Sequence, residues 1–235
     1  MPQSTGSAKN ILVGASPLFV SNVDSTATGY VENSEPNLGT TPSPSFASGV
    51  SYTTTLNAIT SGTYYYRNVG YTNNGLQISY NPSYGSVTVD QLLDTAKLFK
   101  ESMEVSLATE MSEGTLENIQ LAWAQATGTS AVSTITTGGT GVTTTKTLGM
   151  EAGALGQAPR ERQLIAVGNA PTTLAAANSS SERVYYARRV LSVQASQHSL
   201  SRNTATTFPV TFRLLPDGNY SGSEYGKIID RILAI

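Results

Sequence analysis

The chain contains one histidine, His198, and no cysteine, so few kinds of side-chain chemistry are open to it. A Ser-His-Asp hydrolase would need His198 as its base, yet the sequence has no G-x-S-x-G turn of the kind that exposes a nucleophilic serine. A metal site would need oxygen ligands, and no D-x-D-x-D-G loop is present. We therefore expect His198 to be solvated or to lie at an interface.

Two further patterns resemble catalytic or binding motifs only in part. Residues 137–141 are glycine-rich and precede Lys146, but no glycine directly precedes that lysine and no helical pattern follows it. The closely spaced carboxylates between residues 101 and 113 have no apolar neighbours placed to raise the pKa of one of them. The sequence therefore predicts that the protein is not an enzyme and holds no cofactor or metal.

The composition favours a protein whose surface contacts other copies of itself. Charged residues make up 13% of the 235 residues, about half the usual share, and the formal net charge is −2. Basic residues cluster only at Arg160–Arg162 and Arg188–Arg189, each mixed with acidic residues or followed by a strand, so no nucleic-acid-reading patch is expected. No apolar run has the length needed to span a membrane, and we expect the chain to be soluble or to assemble.

Two pairs of segments alternate apolar and polar residues, which is the pattern of strands with one face on a core. In residues 86–110, the apolar set is Val87, Val89, Phe99, Met103, Val105 and Leu107, and the polar set is Thr88, Asp90, Lys100, Ser102, Glu104, Ser106 and Glu110. Near the C-terminus, Leu191, Val193, Phe208, Val210, Phe212 and Leu214 oppose Ser192, Gln194, Thr211 and Arg213. The two pairs predict one amphipathic sheet, whose open edges need a partner.

Local signals predict one helix and several turns. Ser112 or Thr115 can cap the helix, Leu116 starts its apolar stripe through Ile119 and Trp123, and Gly128 can end it. We expect Trp123 to face the core.

Asn73-Asn74-Gly75 predicts a tight turn between two strands, and Asn81-Pro82 the end of the second of them. Pro209 should begin a strand or form a bulge, because proline cannot donate to a sheet ladder. Segment 94–99 is expected at the tip of the first hairpin.

Residues 1–235 are expected to form a single domain with three less regular parts. These are an N-terminal arm (1–21), a Ser/Thr/Asn/Gly/Pro-rich excursion (22–62) with a strand near residues 50–59, and a Thr/Gly-rich insertion (127–150) that is a loop or a loose hairpin. The apolar segment Ile11–Val20 is interrupted by Pro17 and lacks a clean cleavage site, so we interpret it as a strand or an extended arm rather than a signal peptide.

The order and spacing of several short segments resemble those of bacteriophage tail tube (major tail) proteins. The resemblance covers roughly residues 65–126 and 160–216, about half the chain. It is carried by Val69-Gly70-Tyr71-Thr72, Gly75 to Tyr80, Val87 to Gln91, Glu104 to Leu107, Glu113 to Ile119, Leu164 to Pro171, Val190 to Gln194 and Phe208 to Asp217.

The resemblance implies a mainly β subunit, of β-sandwich or β-barrel type, with one short α-helix packed on the sheet. It implies homohexameric rings whose inner sheets join into one ring-wide β-barrel, and rings that stack into the hollow tube of the virion tail. It further implies assembly in the host cytoplasm, contact with tape-measure and tail-end proteins, DNA that passes through the lumen without specific binding, and no membrane partner.

Within that architecture the polar faces would line the bore, and we expect a weakly electronegative lining because basic walls would retain DNA phosphates. The expected channel-lining residues are Thr88, Asp90, Lys100, Glu104, Ser106, Glu110, Ser192, Gln194, Thr211 and Arg213. Leu98 and Phe99 are apolar at an expected hairpin tip, and we expect them to contact the adjacent ring.

Two other interpretations remain open from the sequence. The first is a tube protein of a related injection device, such as a tailocin or a secretion system, or a tail terminator. The second is a secreted adhesin or pilin-like β-sandwich, which the Ser/Thr-rich loops would suit.

Overall fold

A computed structural model describes residues 16–27, 30, 55–57, 65–91, 94–126, 133–137, 143–152, 155–171, 179–193, 197–198, 200, 202–203 and 205–234. The strands are β1 (Leu18–Ser21), β2 (Thr55–Asn57), β3 (Tyr65–Asn68), β4 (Thr72–Thr88), β5 (Thr95–Met111), β6 (Ser133–Thr137), β7 (Thr143–Thr147), β8 (Arg162–Asn169), β9 (Ser179–Ser192), β10 (Phe208–Leu214) and β11 (Gly226–Ala234). The helix α1 is Leu116–Ala122. The prediction of a mainly β chain with one short helix is confirmed.

Nine strands form one antiparallel sheet in the order β2-β3-β1-β8-β9-β10-β5-β4, and β11 pairs with β9 beside this path. The predicted union of the two amphipathic strand pairs is confirmed, because β5 pairs with β10 from Phe208↔Met111 to Arg213↔Ser106. The sheet is not closed. Strand β4 lies at one end of it, and β6 and β7 form a separate two-stranded hairpin.

The sheet carries apolar clusters on both of its sides. The larger cluster lies under α1, with Leu107, Met111, Val210 and Phe212 from β5 and β10 buried against Leu121 and its neighbours. The second cluster is centred on Phe19, Tyr66 and Ile165 in the β1–β3–β8 half of the sheet. Around β5 and β10, by contrast, the side away from α1 is polar.

Helix α1 begins where the sequence predicts. The Thr115 hydroxyl accepts a hydrogen bond from the Asn118 backbone N–H, which satisfies one of the open donors of the first turn. The helix ends at Ala122 rather than near Gly128. Trp123 is half-buried against the larger cluster, in agreement with the predicted core-facing position.

A buried amide fixes α1 to the sheet. Asn118 is fully buried, and its Nδ2 donates to the carbonyl oxygens of Val69 at 2.8 Å and of Glu113 at 3.0 Å. Its Oδ1 accepts a hydrogen bond from Arg67 Nη1 at 2.8 Å. The bonds with Val69 and Arg67 join the start of the helix to the end of β3, and the bond with Glu113 fixes the segment that leads into the helix.

The predicted turn at Asn73-Asn74-Gly75 is wrong. Asn74 and Gly75 do have positive φ angles of 60° and 68°, but they form an irregularity inside β4, where the register with β5 shifts between Asn73 and Gln77. The predicted strand end at Pro82 is also wrong, since β4 continues to Thr88. Proline has no backbone N–H to donate. A strand at the end of a sheet tolerates it because one edge of that strand needs no donor for a neighbouring strand.

The remaining segment predictions have mixed outcomes. Strand β1 occupies the end of the expected arm, β2 lies within the strand expected near residues 50–59, and β6 and β7 form the hairpin that the Thr/Gly-rich segment allows. Strand β10 begins at Phe208, one residue before Pro209, as predicted. The rest of the arm (1–15) and most of the 22–62 excursion lie outside the described residues.

Candidate functional site

The most distinctive surface is the side of β5 and β10 that faces away from α1, which we name the polar face. Alternate residues of the two strands, from Val105 to Met111 and from Phe208 to Leu214, are buried on the helix side. The residues between them point the opposite way because successive strand side chains alternate. The polar face thus holds Glu104, Ser106, Ala108, Glu110, Pro209, Thr211 and Arg213.

Five of the predicted lining residues share this face, and they form a mixed surface with little charge. Arg213 pairs directly with Ser106, and Thr211 with Ala108. Glu104 and Arg213 are exposed. Glu110 is half-buried and accepts a hydrogen bond from Asn73 Nδ2 at 3.2 Å. Within the part of the face formed by residues 104–110 and 209–213, two carboxylates and one guanidinium leave one net negative charge in each copy.

The prediction that Lys100 shares the polar face is wrong, and a β-bulge is the reason. Ser83 pairs with Ser102, but the next residue, Tyr84, pairs with Lys100, so Glu101 is an extra residue. An extra residue inverts the alternation beyond it. Lys100 therefore lies on the side of Tyr84, which is the helix side of the sheet.

The same bulge moves Phe99 to the polar face. Phe99 pairs with Gly85, which follows Ser83 by two residues and so lies on the same side as it. A Cβ atom at Gly85 would lie 2.7 Å from Cζ of Phe99. The Phe99 ring thus lies over Gly85. Without the bulge, alternation would place Phe99 on the other side of the sheet.

Three more predicted lining residues do not lie on the polar face, and Gln194 lies outside the described residues. Thr88 follows Tyr84 and Ser86 along β4 on the helix side, and Asp90 lies in the turn after β4. Ser192 pairs with the core residue Phe212.

A hydrogen bond explains why a polar residue is tolerated at the core-facing position of Ser192. Its Oγ donates to the Ala122 carbonyl oxygen at 2.9 Å, at the end of α1, where carbonyl groups lack helical partners.

Leu98 and Phe99 are not at a hairpin turn. Both lie within β5, and the turn between β4 and β5 falls between residues 89 and 94. They also lie on opposite sides of the ribbon, since Leu98 pairs with Ser86 and Phe99 with Gly85. Whether they contact another ring stays a prediction.

A second surface, which the sequence reasoning missed, is a groove on the helix side of the sheet between the β4–β5 ribbon and β11. Its volume is about 300 Å³. We name it the apolar groove. It is lined by Ile78, Tyr80, Val105, Leu107, Tyr185, Tyr186, Ala187, Leu214, Tyr225, Gly226, Lys227 and Ile228. The groove joins segments about 150 residues apart, so the sequence indicates only one of its walls. That indication is the alternation of Ile78 and Tyr80 with Gln77 and Ser79.

Most of the titratable groups with shifted pKa values belong to ion pairs. Arg183 and Asp230 pair β9 with β11 through two contacts of 2.6 Å, and the hydrogen bond from Arg183 lowers the pKa of Asp230. The hydrogen bond to Glu161 raises the pKa of Arg189. These arrangements stabilise the sheet and resemble no acid/base pair.

His198 is exposed, and its ring lies against two aromatic rings. The ring centroids are 6.0 Å from Trp123 and 4.7 Å from Phe208. Among the described residues, no group of three or more His, Asp or Glu side chains is placed to hold a metal ion.

The sequence matches no model of a known protein family, and a search of curated proteins returns no match. In the part of the chain that the structure describes, no helix combines the length and the apolar character needed to cross a membrane.

Proposed function

We propose that this chain is the structural subunit of a bacteriophage tail tube, in which six copies form a ring and rings stack around a hollow bore for DNA. The resemblance of residues 65–126 and 160–216 to tail tube proteins suggested this function. The observation that carries it is the edge of the sheet at β4, which is long and carries no charge.

Strand β4 has 17 residues, and its sequence from Thr72 to Thr88 contains no Asp, Glu, Lys or Arg. Its one strand partner among the described residues is β5, so within the described part of the chain no strand lies along its other edge. Monomeric proteins usually protect such an edge with charges, shortness or a covering element. Pro82 and three irregularities in the pairing of β4 with β5 protect this edge in part, and its lack of charge favours pairing with another copy.

A ring accounts for both the edge and the two unlike sides of the sheet. If the inner sheets of six copies join edge to edge, the barrel closes and no edge is left open. The helix side, with its buried cluster, then lies outward under α1, and the polar face lines the bore. Glu104, Ser106, Glu110, Thr211 and Arg213 supply a lining with slight negative charge, which suits DNA that passes without being held.

This proposal includes the partners and the location that the resemblance implies. The subunit would contact its own copies within and between rings, the tape-measure protein inside the tube, and the proteins at the tube's ends. It would assemble in the host cytoplasm and remain in the virion tail.

Electron microscopy of the purified protein tests the proposal directly. We expect negatively stained preparations to contain rings with a central hole or hollow tubes, and light scattering after size exclusion to give six subunits for the smallest ring. A protein that stays monomeric at all concentrations and salt conditions would contradict the proposal.

A variant with charges on β4 tests whether the β4 edge is the contact between copies. Ser79 and Ser83 are exposed on β4, and lysine at both positions should leave a folded monomer that forms no rings, because charges on an edge strand oppose pairing with another edge. The matched control places two lysines at the exposed positions Thr145 and Leu200 and should form rings normally. Rings formed equally well by both variants would show that the β4 edge is not the contact.

A further inference from the structure

One site in β4 combines a reactive pair of residues with an irregular backbone. Asn74-Gly75 is the one Asn-Gly pair in the 235 residues. The register of β4 with β5 shifts between Asn73 and Gln77, so residues 74–76 stand outside the regular pairing of the two strands. Asn74 and Gly75 are both exposed. The structure thus leaves this pair accessible to water and outside the regular part of the sheet.

An asparagine followed by a glycine can lose its side-chain amide without an enzyme, and asparagine is one of the thermolabile residues for this reason. The backbone nitrogen of the glycine gives up its proton and attacks the side-chain carbonyl carbon of the asparagine. The new carbon–nitrogen bond closes a succinimide ring, the bond to the amide nitrogen breaks, and ammonia leaves. Water then opens the ring at either carbonyl, which gives aspartate or isoaspartate. Neither step needs an oxidant or a reductant.

The surroundings of Gly75 leave room for this ring closure. Glycine has no side chain that hinders the attack. Apart from Gly75 and its chain neighbours, no heavy atom lies within 4 Å of the position that a Cβ atom would take there. The hydrogen bond from Thr109 Oγ1, at 2.9 Å, engages the carbonyl oxygen of Gly75 and not the nitrogen that would attack.

The product of the reaction would place a negative charge on a strand that has none. Strand β4 contains no Asp, Glu, Lys or Arg, and charges on an edge strand oppose pairing with another edge. Asn74 lines a cavity of about 130 Å³ together with Glu110, so a carboxylate at position 74 would lie near a second carboxylate. Isoaspartate would also lengthen the main chain by one CH₂ group and so disturb the strand itself.

We propose that Asn74 is a site of spontaneous deamidation in the free subunit, and that a converted subunit is excluded from rings. Within a ring, a neighbouring copy covers the β4 edge and protects Asn74 from water. The exclusion and the protection rest on the proposed function, because both use the β4 edge as the contact between copies. The reaction itself does not. It limits the time for which an unassembled subunit stays able to assemble.

Mass spectrometry of aged monomers tests the reaction. Monomers from size exclusion are kept in heavy-oxygen water, and the tryptic peptide of residues 68–97, which contains both Asn74 and Asn81, is then sequenced by fragmentation. Residue 74 should gain one heavy oxygen atom, and it should do so faster at alkaline pH because the glycine nitrogen must lose its proton. Asn81 is also exposed but precedes Pro82, whose nitrogen has no proton to lose, so Asn81 should stay intact. Folded monomers that keep Asn74 under conditions in which the urea-unfolded chain converts it would overturn the proposal.

Separation of rings from monomers tests the consequence. After a partly aged preparation assembles, converted residue 74 should be concentrated in the monomers and nearly absent from the rings. Asn74→Asp should stay monomeric. Asn74→Gly suits the φ angle of 60° and has no amide to lose. Its ring yield should therefore not fall from its own starting value on ageing, whereas the wild-type yield should fall in step with the fraction of intact Asn74.

The outcomes separate this inference from the proposed function. Converted subunits in the same proportion in rings and monomers, rings of Asn74→Asp formed as well as those of the wild type, or an equal loss of ring yield in aged Asn74→Gly would overturn the exclusion. Conversion at the same rate in preformed rings and in monomers would overturn the protection. If the fresh wild-type protein forms no rings, the proposed function fails and the exclusion with it, while the heavy-oxygen measurement still decides the reaction.

Discussion

Reversal of the charge on the polar face is the most direct test of its place in the bore. Glu104, Glu110 and Arg213 give that face one net negative charge per copy, or six per ring of six. Glu104→Lys together with Glu110→Lys changes it to three positive charges per copy, or 18 per ring. We choose Glu110 rather than Asp90 as the second substituted position, because Asp90 lies in a turn and not on the polar face.

The expected size of the effect follows from the dimensions of the sheet. Strands β4 and β5 have 17 residues each, which at a tilt of about 40° extend roughly 43 Å along a barrel axis. Duplex DNA presents one charge per about 1.7 Å, so roughly 25 phosphates pass that height. If even six to ten of them are neutralised, DNA binding should weaken about 10³–10⁵-fold between 50 and 200 mM salt.

The assay measures retention of short fluorescent duplex DNA by purified tubes across a salt series. Wild-type tubes should retain little DNA at any salt concentration, and the double-lysine tubes should retain it strongly at low salt and release it steeply. Phage that carry the variant should assemble tails of normal length but eject DNA slowly.

A matched pair of variants separates position from net charge. Glu104→Gln with Glu110→Gln raises the charge of each copy by two, and so does Met150→Lys with Leu155→Lys at exposed residues away from the polar face. Only the first pair should increase DNA retention. Double-lysine tubes that retain no more DNA than the wild type would refute the assignment of this face to the bore.

Two further predictions concern the stability of the subunit. Asn118→Ala removes three hydrogen bonds of a buried side chain and should cost about 3 kcal/mol, or roughly 6–12 °C in Tm for a chain of this size, whereas calorimetry of the exposed control Asn81→Ala should show little change. The hydrogen bond from Arg183 lowers the pKa of Asp230, so the stability from this pair is complete above the ordinary aspartate pKa of about 3.9 and is lost as pH falls through the lowered value. Protection factors for amide exchange in β11, which are corrected for the intrinsic pH dependence of exchange, should therefore fall in acid, and Asp230→Asn should lower them at neutral pH as well; protection factors that are the same in both proteins at every pH would contradict this role.

Much of the fold is predictable from short-range patterns. The alternation from Val105 to Met111 and from Phe208 to Leu214 identifies two strands and their buried sides, because neighbouring side chains on a strand must point in opposite directions. Thr115 identifies the start of α1, because its hydroxyl satisfies a backbone donor that any helix start leaves open. In both cases the physical cause lies within a few residues of the signal.

The errors share a different cause. Asn74 and Gly75 tolerate positive φ, which both a tight turn and an irregularity within a strand require, so the local sequence does not distinguish the two. Ser192 was assigned to the polar face because serine is polar, but the end of α1, 70 residues away in sequence, supplies a carbonyl that accepts its hydrogen bond. Lys100 and Phe99 each lie on the side opposite to the one predicted. Glu101 is an extra residue of β5 with no partner in β4, and it inverts the alternation of side chains beyond it.

Local patterns of residues establish that this chain is built from amphipathic strands with one capped helix, and that Glu104, Ser106, Glu110, Thr211 and Arg213 lie on polar sides of those strands. The pairing of distant strands establishes that these five share one face, and that no described strand lies along the outer edge of β4. The local backbone makes successive side chains of a strand point to opposite sides, but each bulge inverts which residues point to which side. Where a bulge forms, and which edges stay open, depends on pairing with strands far away in the chain.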